Sequence, residues 1–438
     1  MLLANSIYHL ANDASVTIMA GQITVLQREL AFGYVDTGLL TAVALLVTVV
    51  AQIAFGHMAD RREPGRFLAL GIAFLGLASL AITTAVSFLP FLALVAVSRI
   101  GAGFYHPVGI SWIARAYADG DLDRAMGFQS SFGDVGVILG IASGALLGSA
   151  FGWRAPFHLL CVLNLVAGAI GVGLLRGRSN MSPHGSEPKV RVAYRSVLHD
   201  VRYWIFPIAI GGAAFNIIAS FGPVLVKDGF GQTDAVAGVS IALWILAGSV
   251  AAFYFGRLSA RFGRYRALLG AYLSLTIATL AAAMTGFGVA IVALWTLGSA
   301  LFITYPAVFS FISEASRARV QGAAFGVIFG FQLVGGAAAT YASGFLAEAL
   351  GKNPTIPFFV AAVLCGTCFL YLLAVRSGAR TTAVKSLLAS PVVMVHAPVV
   401  GVGGMLGQVT EGRVVRVQLF SQPSPGVVLL SSHSSVPS

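Results

Sequence analysis

Apolar stretches of membrane-crossing length, separated by short polar breaks, repeat along the chain from its start to about residue 375. At about 1.5 Å of rise per residue, roughly 20 apolar residues cross the hydrocarbon layer of a bilayer. The stretches predict twelve spans, near 5–28, 37–59, 67–87, 89–114, 124–149, 155–175, 203–226, 232–255, 267–286, 288–312, 322–346 and 355–375. Each is expected to be an α-helix, because backbone in lipid must satisfy its own hydrogen bonds and these runs are too long for barrel strands. The predicted class is therefore all-α, an integral membrane protein.

Between spans six and seven the apolar pattern lapses over 176–202, a segment containing Ser179, Pro183, Gly185, Ser186 and Pro188 that reads as a linker. The sequence on its two sides repeats. GHMADRREPGR, starting at Gly56, returns as GRLSARFGRYR, starting at Gly256; FYHPVGISWI, around Pro107, returns as ITYPAVFSFI, around Pro306; RAMGFQ returns as RVQGAA. Three matches in the same order predict two six-helix halves, 1–175 and 203–375, around a central cavity. Beyond the last span, 376–438 is rich in Val, Ser, Pro and Gly and is expected to be a mostly disordered tail.

Composition narrows the class. Of 438 residues 57% are hydrophobic and 10% charged, with a mean hydropathy of +0.87. So few charges cannot solvate a water-exposed surface of this size, which excludes soluble enzymes and nucleic-acid binders. The net charge of +11 is explained by position. Seventeen basic residues fall in loops on one side: Arg61, Arg62, Arg66, Arg115, Arg124, the linker group, Arg257, Arg261, Arg264, Arg266, Arg317 and Arg319. Only Arg28, Arg154, Lys227 and Lys352 fall on the other. This asymmetry predicts a multi-pass protein of the cell inner membrane with both termini cytoplasmic, and calls for no nucleic-acid partner. Cys161, Cys365 and Cys368 lie in apolar runs and read as buried thiols. No metal-ligand cluster, P-loop, activated nucleophile or cofactor site is evident, so an ion gradient is the expected energy source.

Ionisable groups inside spans carry the chemistry, since each costs several kcal/mol in hydrocarbon unless paired or hydrated. Asp13, Asp134 and Arg99 are the charged ones, with His106 beside them and His9 nearer the interface. All lie in the first half; the repeat partners of Arg99, His106 and Asp134 are Gly298, Tyr305 and Phe329. Asp13 and His106 sit at a similar depth, roughly 12 Å from their helix ends, and can meet. Arg99 is expected to pair with Asp134 or to reach Asp13, and shares a helix face with His106. Asp13, His106 and Asp134 are the candidate proton-coupling groups. Arg99, Tyr105, Gln129, Asn216, Tyr305 and Gln332 are candidate substrate contacts, with Trp244 a further aromatic one. Pro107 and Pro306 are expected to bend helices four and ten as hinges. Glycines at 136, 140, 144 and 148, and at 322, 326 and 330, predict close helix contacts in both halves.

These features resemble the major facilitator superfamily over about the first 375 residues. GHMADRREPGR is similar to the family's loop signature, which implies a gating role for Gly56, Asp60, Arg61, Gly65 and Arg66; the second copy has Ala260 where Asp60 would correspond. Arg99 with Gly103 resembles the fourth-helix motif. Within the family, YHLANDASVTI and GAGFYHPVG resemble the fosmidomycin-resistance type of efflux protein, although Val108 stands where that group has glutamate. The resemblance implies a monomeric, proton-coupled transporter exporting a small, drug-like, anionic organic molecule by alternating access. The same charges run in reverse would give a symporter importing an organic acid. A non-transporting membrane scaffold is the alternative from another class, and a membrane enzyme has no motif to support it.

Overall fold

The computed structural model describes residues 1–59, 63–117, 119–176, 194–315 and 321–389. It divides into two units, Met1–Ala383 and Val384–Ser438, and apart from the end of α16 everything below concerns the first. Helices α1 (Leu2–Gly21), α2 (Ile23–Leu30), α3 (Tyr34–Ala59), α4 (Pro64–Ile82), α5 (Phe88–Ala102), α6 (Tyr105–Ala116), α7 (Asp119–Phe151) and α8 (Arg154–Leu175) precede the central segment. After it come α9 (Tyr194–Val224), α10 (Asp234–Phe253), α11 (Phe255–Phe262), α12 (Arg264–Met284), α13 (Phe287–Thr296), α14 (Leu301–Ala315), α15 (Gln321–Ala349) and α16 (Ile356–Ala389).

Among the described residues eleven helical stretches are long and apolar enough to cross a membrane, from Tyr34–Gly56 to Ile356–Val375. The first predicted span does not meet that standard. Its helix carries Asn5, Ser6, His9, Asn12 and Ser15, all buried, together with Asp13. Polar side chains facing protein lower its apolarity without exposing it to lipid. The outer surface is what lipid demands elsewhere: Leu70, Val86, Phe151, Val289 and Val363 are exposed. At the far end α16 continues to Ala389, past the hydropathic limit near 375, because AVRSGARTTAVKSLLA suits a helix but not hydrocarbon.

Packing repeats between the halves. Helix α1 lies along α7 as α9 lies along α15, and the halves meet through α3 against α15 and α7 against α10. The α7 glycines work as expected: a Cβ at Gly136, Gly140 or Gly144 would come within 2.4 Å of the Leu10, Ala14 or Ile18 carbonyl oxygen. The matching expectation for α15 fails. A Cβ at Gly326 or Gly330 would meet nothing within 4 Å, and the surroundings of Gly322 lie outside the described set. The close approaches of α15 occur further along, at Gly335 on Ala209, Gly336 on Asn216 and Gly344 on Tyr34.

Helices four and ten are both interrupted. α5 gives way to α6 at Gly103 and Phe104, with Pro107 in the first turn of α6; the amide that proline lacks would have bonded Gly103. α13 and α14 are separated by a 3₁₀ turn, Gly298–Ala300, nearly two turns before Pro306, which sits inside α14. Of the expected gating loop, Asp60 and Arg61 lie outside the described residues. Glu63 caps α4 by accepting from the amides of Gly65 (3.1 Å) and Arg66 (2.8 Å), and Gly56 faces Pro107.

Candidate functional site: a histidine–aspartate cluster in the first half

Asn5, His9, Asn12 and Asp13 recur at helical spacing along one side of α1, where α6 and α7 receive them. Gly133 of α7 makes room for His9: a Cβ there would lie 2.5 Å from the imidazole ring. His9 Nε2 is 3.1 Å from Asp13 Oδ2, and His106 Nε2 is 3.7 Å from Asp13 Oδ1. Asn12 Nδ2 donates to Asp13 Oδ1 at 2.8 Å. Thus Asp13 and His106 meet as their depths predict, and His9 joins them.

The geometry fixes the proton on one nitrogen of His9. Its Nδ1 lies 2.8 Å from the Gln129 carbonyl oxygen, which only accepts, so Nδ1 carries hydrogen. In a neutral ring Nε2 would then present a lone pair to a carboxylate oxygen at 3.1 Å, a repulsive contact. A proton between Nε2 and Oδ2 makes the contact attractive, and the shared proton is charge-assisted. His106 faces Asp13 from the open side, with 41% of its side chain exposed against 9% for His9. The three residues also bring one donor atom each within 4.8 Å of one another, a spacing compatible with a metal ion. No such cluster is evident in the sequence, because α6 supplies one of the three.

Two candidate substrate contacts belong behind the cluster rather than in front of it. Tyr105 is fully buried and stacks on His9 with ring centroids 4.3 Å apart. Its hydroxyl donates to Gln129 Oε1 (2.8 Å) and accepts from Asn5 Nδ2 (3.1 Å). Gln129 is likewise buried. In this conformation both position the imidazole and neither is open to a ligand.

Arg99 forms neither of its expected ion pairs among the described residues. It is 4% exposed, its Nη2 donates to the Val16 carbonyl oxygen at 2.9 Å, and its Nε has no partner. Val16 lies a turn beyond Asp13 on α1, and the guanidinium is turned to that carbonyl instead of to the carboxylate. Asp134 is exposed on α7, one residue from the glycine that abuts His9.

The second half answers with aromatic rings. Tyr305 donates to the Gly211 carbonyl oxygen at 3.3 Å and adjoins Phe302 and Phe309, which in turn meets Phe325 and Phe329. Asn216 Nδ2 is turned back onto the Gly212 carbonyl (2.9 Å), and Gln332 Oε1 is buried without a partner. Trp244 is fully buried against Phe215 and Phe302.

Sequence reasoning passed over a second set of charges. At the end away from the arginines, Arg28 Nη1 binds Asp234 Oδ2 at 2.6 Å and Lys227 Nζ lies 3.4 Å from Asp234 Oδ1. The Tyr34 hydroxyl donates to Asp228 (2.7 Å), and Glu348 accepts from the Tyr34 amide (2.7 Å). Most of these contacts join the first half to the second. They fall in predicted loops or at the ends of predicted spans, where the sequence offers only topology, and their signal is opposite charges on opposite halves at matching depth.

Comparison with known proteins agrees with this architecture. In solved structures, the nucleoside transporter NupG superposes with a TM-score of 0.72 at 11% identity, covering 85% of this chain and 99% of that one. A bacterial homolog of the human lysosomal transporter Spinster, inward-facing and occupied, superposes with a TM-score of 0.71 at 15% identity, covering 89% and 98%. An uncharacterized MFS-type transporter of Mycobacterium tuberculosis is 24% identical over 202 residues, 46% of this chain. The match spans only 32% of that relative's length. Residues 3–340, most of the helical unit, match the profile of the Major Facilitator Superfamily, and the chain belongs to that family of membrane transporters.

Proposed function

We propose that the chain is a proton-coupled secondary transporter that exports a small, drug-like organic anion by alternating access. The observation that carries this reading is the His9–Asp13–His106 cluster, whose convergent acceptor atoms require a proton and whose outermost member is exposed. Protonation of Asp13 and His106 would load the coupling ion, and Asp134, exposed nearby, would pass it to or from water. Arg99, a buried cation without a carboxylate, would attract the anionic end of the substrate, with Asn216, Tyr305 and Gln332 meeting its remainder. The clasp of Arg28, Asp234 and Lys227 holds one end shut, whereas Gly127, Gly326 and Gly330 face open space toward the other. With the arginine-rich end cytoplasmic by the charge asymmetry, this is the inward-facing state. In that orientation the first helix, α1 with α2, makes a twelfth crossing of the inner membrane and the chain acts as a monomer. Export and the fosmidomycin-resistance subtype rest on the first-helix and fourth-helix motifs.

The experiment is a susceptibility screen of an expressing strain against small toxic anions, fosmidomycin included, with Asp13→Asn expressed at the same level. Protection by the native chain and none by the variant is expected. Sensitisation by the native chain would instead indicate import, the symporter reading. Equal behaviour of both proteins and an empty vector on every compound would leave the scaffold reading in place.

A further inference from the structure

The lipid-facing side of the first half holds a cavity of about 480 Å³ between α4 and α8. Its floor is built from small residues, among them Ala69 and Gly168, and its banks from Leu70, Leu165 and Val172. The two helices approach closely at both ends: a Cβ at Gly76 would come within 3.0 Å of Asn164 and 3.2 Å of the Cys161 carbonyl oxygen, and one at Gly65 within 2.4 Å of the Leu175 side chain. At Gly168 the nearest atom, the Ala69 carbonyl oxygen, is 3.8 Å away. The gap thus lies between these two approaches, and Arg66 and Arg176 line the cavity from opposite helices.

Neither guanidinium has a close carboxylate partner of its own among the described residues. Glu63, the neighbour of Arg66, spends both carboxylate oxygens on the Gly65 and Arg66 amides and stands 3.8 Å from the Arg66 Nε. Arg176 has no carboxylate partner among the described residues. Apolar walls alone would not select an occupant here, because any lipid chain is as apolar as leucine and binding in a bilayer depends on packing and polar contacts. Two arginines at headgroup depth do select one, since guanidinium groups bind phosphate oxygens in a fixed fork.

The corresponding seam of the second half is closed. Tyr265 donates across it from α12 to the Leu372 carbonyl oxygen of α16 at 2.5 Å. Arg264 is held by Glu314, also at 2.5 Å. In the second half the two helices are tied together by this hydrogen bond beside Arg264.

We infer that the α4–α8 groove binds an anionic phospholipid, its phosphate between Arg66 and Arg176 and one acyl chain along Leu70, Leu165 and Val172. Such a lipid would brace the helix pair whose N-terminal end continues from the Gly56–Arg66 loop. The site is independent of the proton cluster and of the transported substrate.

The test measures retention of dioleoyl phosphatidylglycerol and dioleoyl phosphatidylcholine by the full chain in detergent, by native mass spectrometry. A preference of about tenfold for phosphatidylglycerol is expected from two arginine contacts. Arg66→Gln with Arg176→Gln should abolish the preference while total lipid retention persists. Arg257→Gln with Arg261→Gln, at the same end of the other half, should preserve it. Glycerol 3-phosphate should not displace the lipid, and Gly168→Leu, which fills the floor, should reduce retention with both arginines present. Equal retention of the two lipids, an unchanged preference in Arg66→Gln/Arg176→Gln, an equal loss in the distant pair, displacement by glycerol 3-phosphate alone, or unchanged retention in Gly168→Leu would each overturn the assignment.

Discussion

The two halves of the helical unit share a packing plan and divide the chemistry. In the first, α1 presses onto glycines of α7 and delivers His9 and Asp13 to His106. In the second, α9 packs on α15 in the same way, but the repeat partner of His106 is Tyr305, set among phenylalanines. One half gathers imidazoles around a carboxylate, the groups proposed to carry the proton; the other offers flat apolar faces and a few amide groups. The difference teaches that the repeat preserves helix placement while leaving each half free to hold different groups at equivalent depth. A transporter built this way can bind an ion on one side of its cavity and the apolar part of a substrate on the other.

The sharpest way to break the comparison is through the glycines. Gly140→Val puts a branched side chain where Cβ alone would be 2.4 Å from the Ala14 carbonyl, so α1 must move off α7. We expect a loss of about 3 kcal/mol or more, read as failure to recover monodisperse protein. Gly330→Ala in α15 meets open space and is expected to raise thermal stability slightly through helix propensity.

Next in size come the charges. Asp13→Asn should lower gradient-driven flux about a hundredfold, the usual range for losing a proton-transferring group. Tyr305→Phe, which removes one 3.3 Å contact to a carbonyl, should shift the apparent KM by less than about threefold. Equal losses in the two variants would erase the functional distinction between the halves. Arg99→Ala should weaken flux of anionic compounds about tenfold or more and spare neutral ones, measured side by side in the same vesicles.

The smallest expected effect concerns support of the cluster. Tyr105→Phe keeps the ring on His9 and removes a hydroxyl bonded to Asn5 and Gln129. A loss of about 1 kcal/mol is expected in a thermal-shift assay, because both partners are buried. If proton coupling fell as far as in Asp13→Asn, Tyr105 would belong to the relay itself.

Much of this was legible in the chain. Helix positions followed from apolar length, and the meeting of Asp13 with His106 from depth counted along two helices. His9 was undervalued because its distance from the helix end suggested an interfacial residue, although Asn5, His9, Asn12 and Asp13 share a face. The ion pair expected for Arg99 failed because depth says nothing of rotation about the helix axis, and its guanidinium is turned toward the Val16 carbonyl. Glycine spacing was correct for α7 and misleading for α15, since small residues permit contact without requiring it. The clasp at Asp234 was missed for a related reason: sequence assigns loop charges to a side of the membrane and not to partners.

The measurement closest to the central claim follows the pH gradient in inverted membrane vesicles with a quenched acridine dye, while fosmidomycin, or the first anion against which expression protects, is added. Fluorescence should recover with the native chain and with Tyr305→Phe, and should not recover with Asp13→Asn at equal abundance. Recovery with Asp13→Asn at the native rate and extent would contradict the assignment of proton coupling to the first-half cluster.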